Sequence, residues 1–73
     1  MDTEKTVIPG AKLKKIRTAA GLTMPQLSEL SGIGLDNLKS YETGRRNINI
    51  ARVDILKTLA QVLHCKIEDL LDE

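Results

Sequence analysis

Three glycines, Gly21, Gly32 and Gly44, cut the middle of the chain into short stretches of aliphatic helical periodicity. Each follows such a stretch where a residue in left-handed backbone would end a helix. Apolar residues recur three and four positions apart and do not alternate, so no segment reads as a strand. At 73 residues the chain has room for one domain. Short helices joined by tight connections are what remains, an all-α bundle of five helices.

Residues 1–11 lack periodicity and contain Pro9-Gly10, which reads as an N-terminal arm ahead of a folded domain at 12–73. The first helix is expected over 12–20, with Leu13, Ile16 and Ala20 facing inward among Lys12, Lys14, Lys15 and Arg17. Thr23-Met24-Pro25-Gln26 has the form of a capping box, and Leu22 and Leu27 stand at hydrophobic-staple spacing. Pro25 falls in the first turn, where its missing N–H costs little. The second helix should run to Ser31 and bury Leu27 and Leu30. The third should start at Gly34, carry Asp36 in its first turn and bury Leu38 and Tyr41. Asn49 is the expected N-cap of the fourth, stapled by Ile48 and Val53, with Val53, Leu56, Leu59, Ala60 and Leu63 inward. After a turn at His64-Cys65, Ile67, Leu70 and Leu71 form a short last helix.

Composition removes several functions. Tyr41 is the sole aromatic residue, so stacking of single-stranded bases is not expected. Cys65 has no second cysteine to pair with, and His64 and Cys65 have no third ligand nearby for a metal. Nothing pairs a nucleophile with an oriented base, so neither an enzyme nor a cofactor nor a small-molecule substrate is expected. No apolar run approaches a membrane span, and a reducing cytoplasm is the expected compartment. Net charge is only +1, but residues 12–46 carry seven Lys/Arg against three acids, and residues 47–73 three against five. The basic portion suits a polyanion.

The second and third helices, joined through Gly32-Ile33-Gly34, have the spacing of a helix-turn-helix. Gly21-Leu22-Thr23, Leu27, Ser31-Gly32-Ile33, Leu38 and Glu42-Thr43-Gly44-Arg45-Arg46 together resemble the phage-repressor, Cro-type (XRE-like) helix-turn-helix family. Leu59-Ala60-Gln61-Val62-Leu63 and Ile67-Glu68-Asp69-Leu70-Leu71 are similar to its closing helices, so the resemblance covers about 12–71. It implies a phage-repressor-type domain whose third helix, about 34–43, reads double-stranded DNA in the major groove. It also implies a transcriptional regulator, a repressor more than an activator, acting as a dimer on two-fold-related half-sites; a weak homodimer is the expected form.

The base-reading positions implied by the resemblance are Leu35, Asp36 and Ser40, with Asn37 and Lys39 beside them. A helical wheel independently puts Asp36, Lys39, Ser40 and Thr43 opposite Leu38. Asp36 could accept from cytosine N4, Lys39 donate to guanine, and Leu35 meet a thymine methyl or simply pack in the core. Phosphate contacts are expected from Thr23, Gln26, Thr43, Arg45, Arg46 and Asn47. Arg17 and Glu42 match a family pair that bridges the first helix to the end of the third. The chain departs from the family at Met24, where a phosphate-binding Gln is common, and at Gly34, where Ser or Thr usually caps. Acidic Asp36 repels phosphate, and the connection after Gly44 is about three residues longer than usual. The fourth helix has apolar residues over about 180° of arc, more than the ~100° a core stripe needs. Ile55 and Val62 form the surplus edge, to pack the last helix or a second copy. The alternative function is a protein-interaction module that keeps this fold but binds DNA weakly, as acidic Asp36 and the low net charge would suit.

Overall fold

The computed structural model describes residues 10–71, in the order α1 (Ala11–Ala19), α2 (Met24–Ser31), α3 (Leu35–Thr43), a 3-10 turn (Ile48–Ile50), α4 (Val53–Leu63) and α5 (Ile67–Leu70). There is no strand among the described residues. The expected arm at 1–9 lies outside them. Gly10 does not belong to a loose arm: it is buried, caps α1 in left-handed backbone at φ 99°, and its carbonyl accepts from the Lys14 N–H at 3.0 Å.

The core is built from Leu13, Leu27, Leu38, Ile48, Leu59 and Leu70, all fully buried, with Tyr41, Leu56, Ala60 and Leu63 around them. Burying one such leucine contributes about 1.5–3 kcal/mol, so a single layer of these side chains carries the fold. α1 packs on α3 and α5, α2 on α3 and α4, and α4 on α5. This arrangement leaves one side of α3 open.

Four sequence expectations change. On α1 the inward position one turn after Leu13 is Arg17, while Ala20 lies past the helix end and is exposed. On α2 the arc facing the bundle runs from Leu27 through Ser31 and Met24 to Ser28. Leu30 lies off its opposite edge and is 61% exposed, not buried. Asn49 does not cap α4. The extra residues after Gly44 wind the 3-10 turn, in which the Asn49 N–H donates to Asn47 Oδ1 at 2.9 Å. Ile48 from that turn takes the core position expected of Val53, which begins α4 and is 70% exposed. Ile55 and Val62, the expected surplus edge, are half-buried and packed against the core.

The capping box that opens α2 is present in full. The Gln26 N–H donates to Thr23 Oγ1 at 3.2 Å, and the Thr23 N–H donates to Gln26 Oε1 at 2.9 Å. α3 has no such cap, because Gly34 offers no side chain. Its backbone lies at φ −56°, and a Cβ built there meets only Asn37 Nδ2 at 3.8 Å. Gly34→Ser is therefore expected to raise stability by about 0.5–1 kcal/mol, through a cap and a less flexible unfolded chain. Urea unfolding should show a higher midpoint with an unchanged slope.

Candidate nucleic-acid interface

The approach from α2 to α3 is fixed by short-range bonds. Gly32 ends α2 at φ 75°, and its N–H donates to the Ser28 carbonyl at 2.8 Å. Ser28 Oγ donates to the Ile33 carbonyl at 2.6 Å, and the Ile33 N–H donates to Ser31 Oγ at 3.2 Å. Two serines thus take up the polar groups of the turn, a role not read from the sequence, where both appear only as helix residues. With the turn held, Leu38 and Tyr41 of α3 face the core and the opposite face is bare.

That bare face carries the expected reading residues. Asp36 and Lys39 are exposed, Ser40 is half-buried, and all three line one shallow groove of about 440 Å³ with Thr43 and Arg45. Leu35 is 42% exposed and does not enter the core. Asn37 is exposed at the edge of that face, about 60° around α3 from Ser40. It lines a second groove of about 720 Å³ with Tyr41, Arg45, Arg46 and Asn47. Arg45 is common to both grooves.

Helix termination positions the two arginines. Gly44 turns the chain at φ 85°, and its N–H donates to the Tyr41 carbonyl at 3.3 Å. The Arg46 N–H then reaches back to the Ser40 carbonyl at 3.1 Å. These bonds satisfy carbonyls at the end of α3 and hold the arginine backbone against that helix.

The remaining phosphate candidates differ in what they can offer. Thr23 Oγ1 accepts from the backbone, which leaves its proton free to donate. Gln26 has its carbonyl oxygen engaged and keeps its amide N–H₂ as the donor. Asn47 is alike, with Oδ1 held by the 3-10 turn. Thr43 donates its hydroxyl to the Lys39 carbonyl at 2.8 Å, so it must release that bond before it can donate to a ligand. Thr23 and Gln26 stand at the start of α2, outside both grooves.

α3 is secured from behind by a buried ion pair. Arg17 Nε donates to Glu42 Oε2 at 2.5 Å and Nη2 to Oε1 at 3.0 Å, a two-pronged contact. Nη1 donates to the Leu22 carbonyl at 2.7 Å, which ties in the start of the helix-turn-helix. The side chains are 9% and 4% exposed. The hydrogen bonds with Glu42 raise the Arg17 guanidinium further above its already high range, against burial, which acts the other way. Both charges in the pair are thus compensated within the fold.

Sequence reasoning missed Ile50, Ala51 and Arg52, which with Ile55 complete the lining of the second groove. The only available signal was the longer connection after Gly44, whose course periodicity does not predict. Cys65 is half-buried at the turn between α4 and α5. Burial, and then the Asp69 carboxylate, push its thiol up, so it stays protonated at neutral pH and is a poor nucleophile. No cluster of three or more metal-ligating side chains occurs among the described residues. No helix among them is long and apolar enough to cross a membrane.

Comparison with solved structures finds similar folds in regulators. The restriction-modification controller protein C.AhdI from Aeromonas hydrophila is 31% identical. The match covers 85% of this chain and 89% of that one, with a TM-score of 0.75. The N-terminal DNA-binding domain of the master biofilm regulator SinR from Bacillus subtilis is 27% identical, over 90% and 93% of the two chains, with a TM-score of 0.75. The clp gene regulator ClgR from C. glutamicum is 26% identical over 84% and 75%, with a TM-score of 0.71. A search of curated proteins finds no match. The family model of the Cro/C1-type HTH DNA-binding domain matches residues 12–72. With helix-turn-helix geometry, an open third helix and a family match over nearly its whole length, this chain belongs to the Cro/C1-type helix-turn-helix DNA-binding family.

Proposed function

We propose that the chain is a sequence-specific transcriptional regulator, a repressor, that places α3 in the major groove of double-stranded DNA. The observation that carries this reading is that Asp36, Lys39 and Ser40 share one exposed groove with Arg45. Reading groups and a phosphate anchor are then on one surface, as base contact and backbone positioning together require. Lys39 donates to guanine or to a phosphate, Asp36 accepts from cytosine N4, and Ser40 bonds a base edge. Leu35 meets a thymine methyl, and Asn37 reaches the edge of the same site. Arg45, Arg46 and Asn47 hold the backbone on one side, and Thr23 and Gln26 at the start of α2 hold it on the other. Thr43 joins them once its hydroxyl leaves the Lys39 carbonyl. The protein works in the cytoplasm as a weak homodimer, without cofactor or small-molecule substrate. The similarity to C.AhdI, SinR and ClgR supports a regulatory role, since each is named as a controller or regulator.

A gel-shift salt titration on a duplex selected from random sequence tests the reading. With ~4–6 phosphate contacts per subunit, log affinity should fall against log salt with a slope near −4 to −5 per subunit. Arg45→Ala with Arg46→Ala should reduce that slope by about 2 and weaken binding about 30-fold at physiological salt. Absence of duplex binding at low salt would reject the proposal and leave the fold as a protein-interaction module.

A further inference from the structure

The two ends of α3 are mounted differently. At its end, Tyr41 and Glu42 are buried, and the Arg17 guanidinium grips Glu42 at two points. At its start, Gly34 caps the helix without a side chain. Gly34, Leu35, Asp36 and Asn37 are all exposed, and the first buried residue is Leu38. A helix secured at one end swings at the other unless something near its start prevents it. Ile33 is placed to do so. It lies between Gly32 and Gly34, the residue type that restricts a backbone least. Its side chain packs against the core, and serines of α2 hold both of its backbone polar groups. The carbonyl accepts from Ser28 Oγ at 2.6 Å, and the N–H donates to Ser31 Oγ at 3.2 Å.

We infer that Ser28 is a positioning residue for base reading: its hydroxyl, acting through the Ile33 carbonyl, sets where Leu35 and Asp36 stand. The inference rests on the reading of α3 as the helix that enters the major groove. Ser28 itself lines neither groove, so its effect on recognition is indirect. Of the two serine bonds, that of Ser28 is the shorter, and it reaches five residues along the chain against two for Ser31. It therefore ties the body of α2 to the last residue before the α3 cap. Direct base contacts tolerate only ~0.5 Å of error in donor–acceptor distance. A small drift of the first turn is enough to lose one. Phosphate contacts are less exacting, because a long arginine side chain follows a phosphate through a larger shift. The backbone of Arg46 is also tied to the far end of α3, at the Ser40 carbonyl. Removing the Ser28 hydroxyl therefore removes discrimination between sequences and leaves general attraction to DNA in place.

Ser28→Ala in the full chain tests this, since alanine suits a helix interior at least as well as serine and the fold is kept. Gel shifts compare a duplex selected from random sequence with a scrambled one. Ser28→Ala should bind the selected duplex about tenfold more weakly, the size of one lost base contact. It should bind the scrambled duplex within about twofold of wild type, with the same salt slope. Adding Asp36→Ala should then cost less than about twofold more, because that contact is already lost, whereas adding Arg45→Ala should cost its full single-variant factor. Amide hydrogen exchange without DNA gives a separate readout. The Leu38 N–H, which donates to the Gly34 carbonyl at 3.0 Å, should exchange about tenfold faster in Ser28→Ala. The Arg46 N–H, which donates to the Ser40 carbonyl at 3.1 Å, should keep its wild-type rate. The inference is overturned by equal losses on both duplexes, by no loss on the selected one, or by unchanged exchange at Leu38. A wild-type chain that binds neither duplex sinks the DNA reading instead, and the exchange rates then decide by themselves whether Ser28 holds the first turn.

Discussion

Glu42→Gln is expected to lower the free energy of unfolding by about 3 kcal/mol. Glutamine keeps the shape of the side chain and one acceptor oxygen. It removes the negative charge that faces a guanidinium only 9% exposed, and it turns an N–H₂ group toward Arg17 Nε or Nη2, where two donors now meet. Breaking one side of a buried pair leaves the other charge uncompensated, the expensive case. In a domain this small the loss is a large fraction of the total stability, and the melting temperature should fall by more than about 10 °C. A change under ~1 kcal/mol in urea unfolding would show that the pair behaves as if it were on the surface.

Gly10→Ala should cost about 3 kcal/mol or more. The backbone there lies at φ 99°, which an L side chain rarely adopts, and an added Cβ would sit 1.8 Å from the Tyr41 carbonyl oxygen and 2.9 Å from Glu42 Cα. Both obstacles are main chain in the last turn of α3, so no side chain can swing aside. Relief requires the start of α1 to draw away from α3 beside the Arg17–Glu42 contact. The expected readouts are a lower melting temperature and weaker DNA binding that follows the folded fraction. Gly10→Ala with wild-type stability would mean that the close approach of α1 to α3 is absent in solution.

The helices themselves were legible because their signals are local. The capping box at Thr23–Gln26 involves four consecutive residues, and it occurs as read. Leu13, Leu27, Leu38, Leu59 and Leu70 are apolar at helical spacing, and all are fully buried. The misreadings occur where the answer depends on a neighbour distant in sequence. Gly10 looks like punctuation until α3 is placed against it. Arg17 looks solvated until Glu42, twenty-five residues later, reaches it; only the family resemblance suggested that pairing. Leu30 looks like core because its type is right, yet α2 turns the arc of Leu27, Ser31, Met24 and Ser28 toward its partners and leaves Leu30 outside it. The route after Gly44 was unreadable for another reason: a 3-10 turn has no apolar period to reveal it. For the candidate interface, the wheel of α3 identifies the open face, but not that Asn37 lines a different groove from Asp36, Lys39 and Ser40.

The arginines of this chain answer differently to ionic strength. Arg17 is enclosed with its carboxylate and a backbone carbonyl, where mobile ions do not reach. Arg45 and Arg46 stand in open grooves, where added salt competes for any anion they hold. Concentrated electrolyte should therefore release a bound polyanion while the domain stays folded and ready to bind again on dilution.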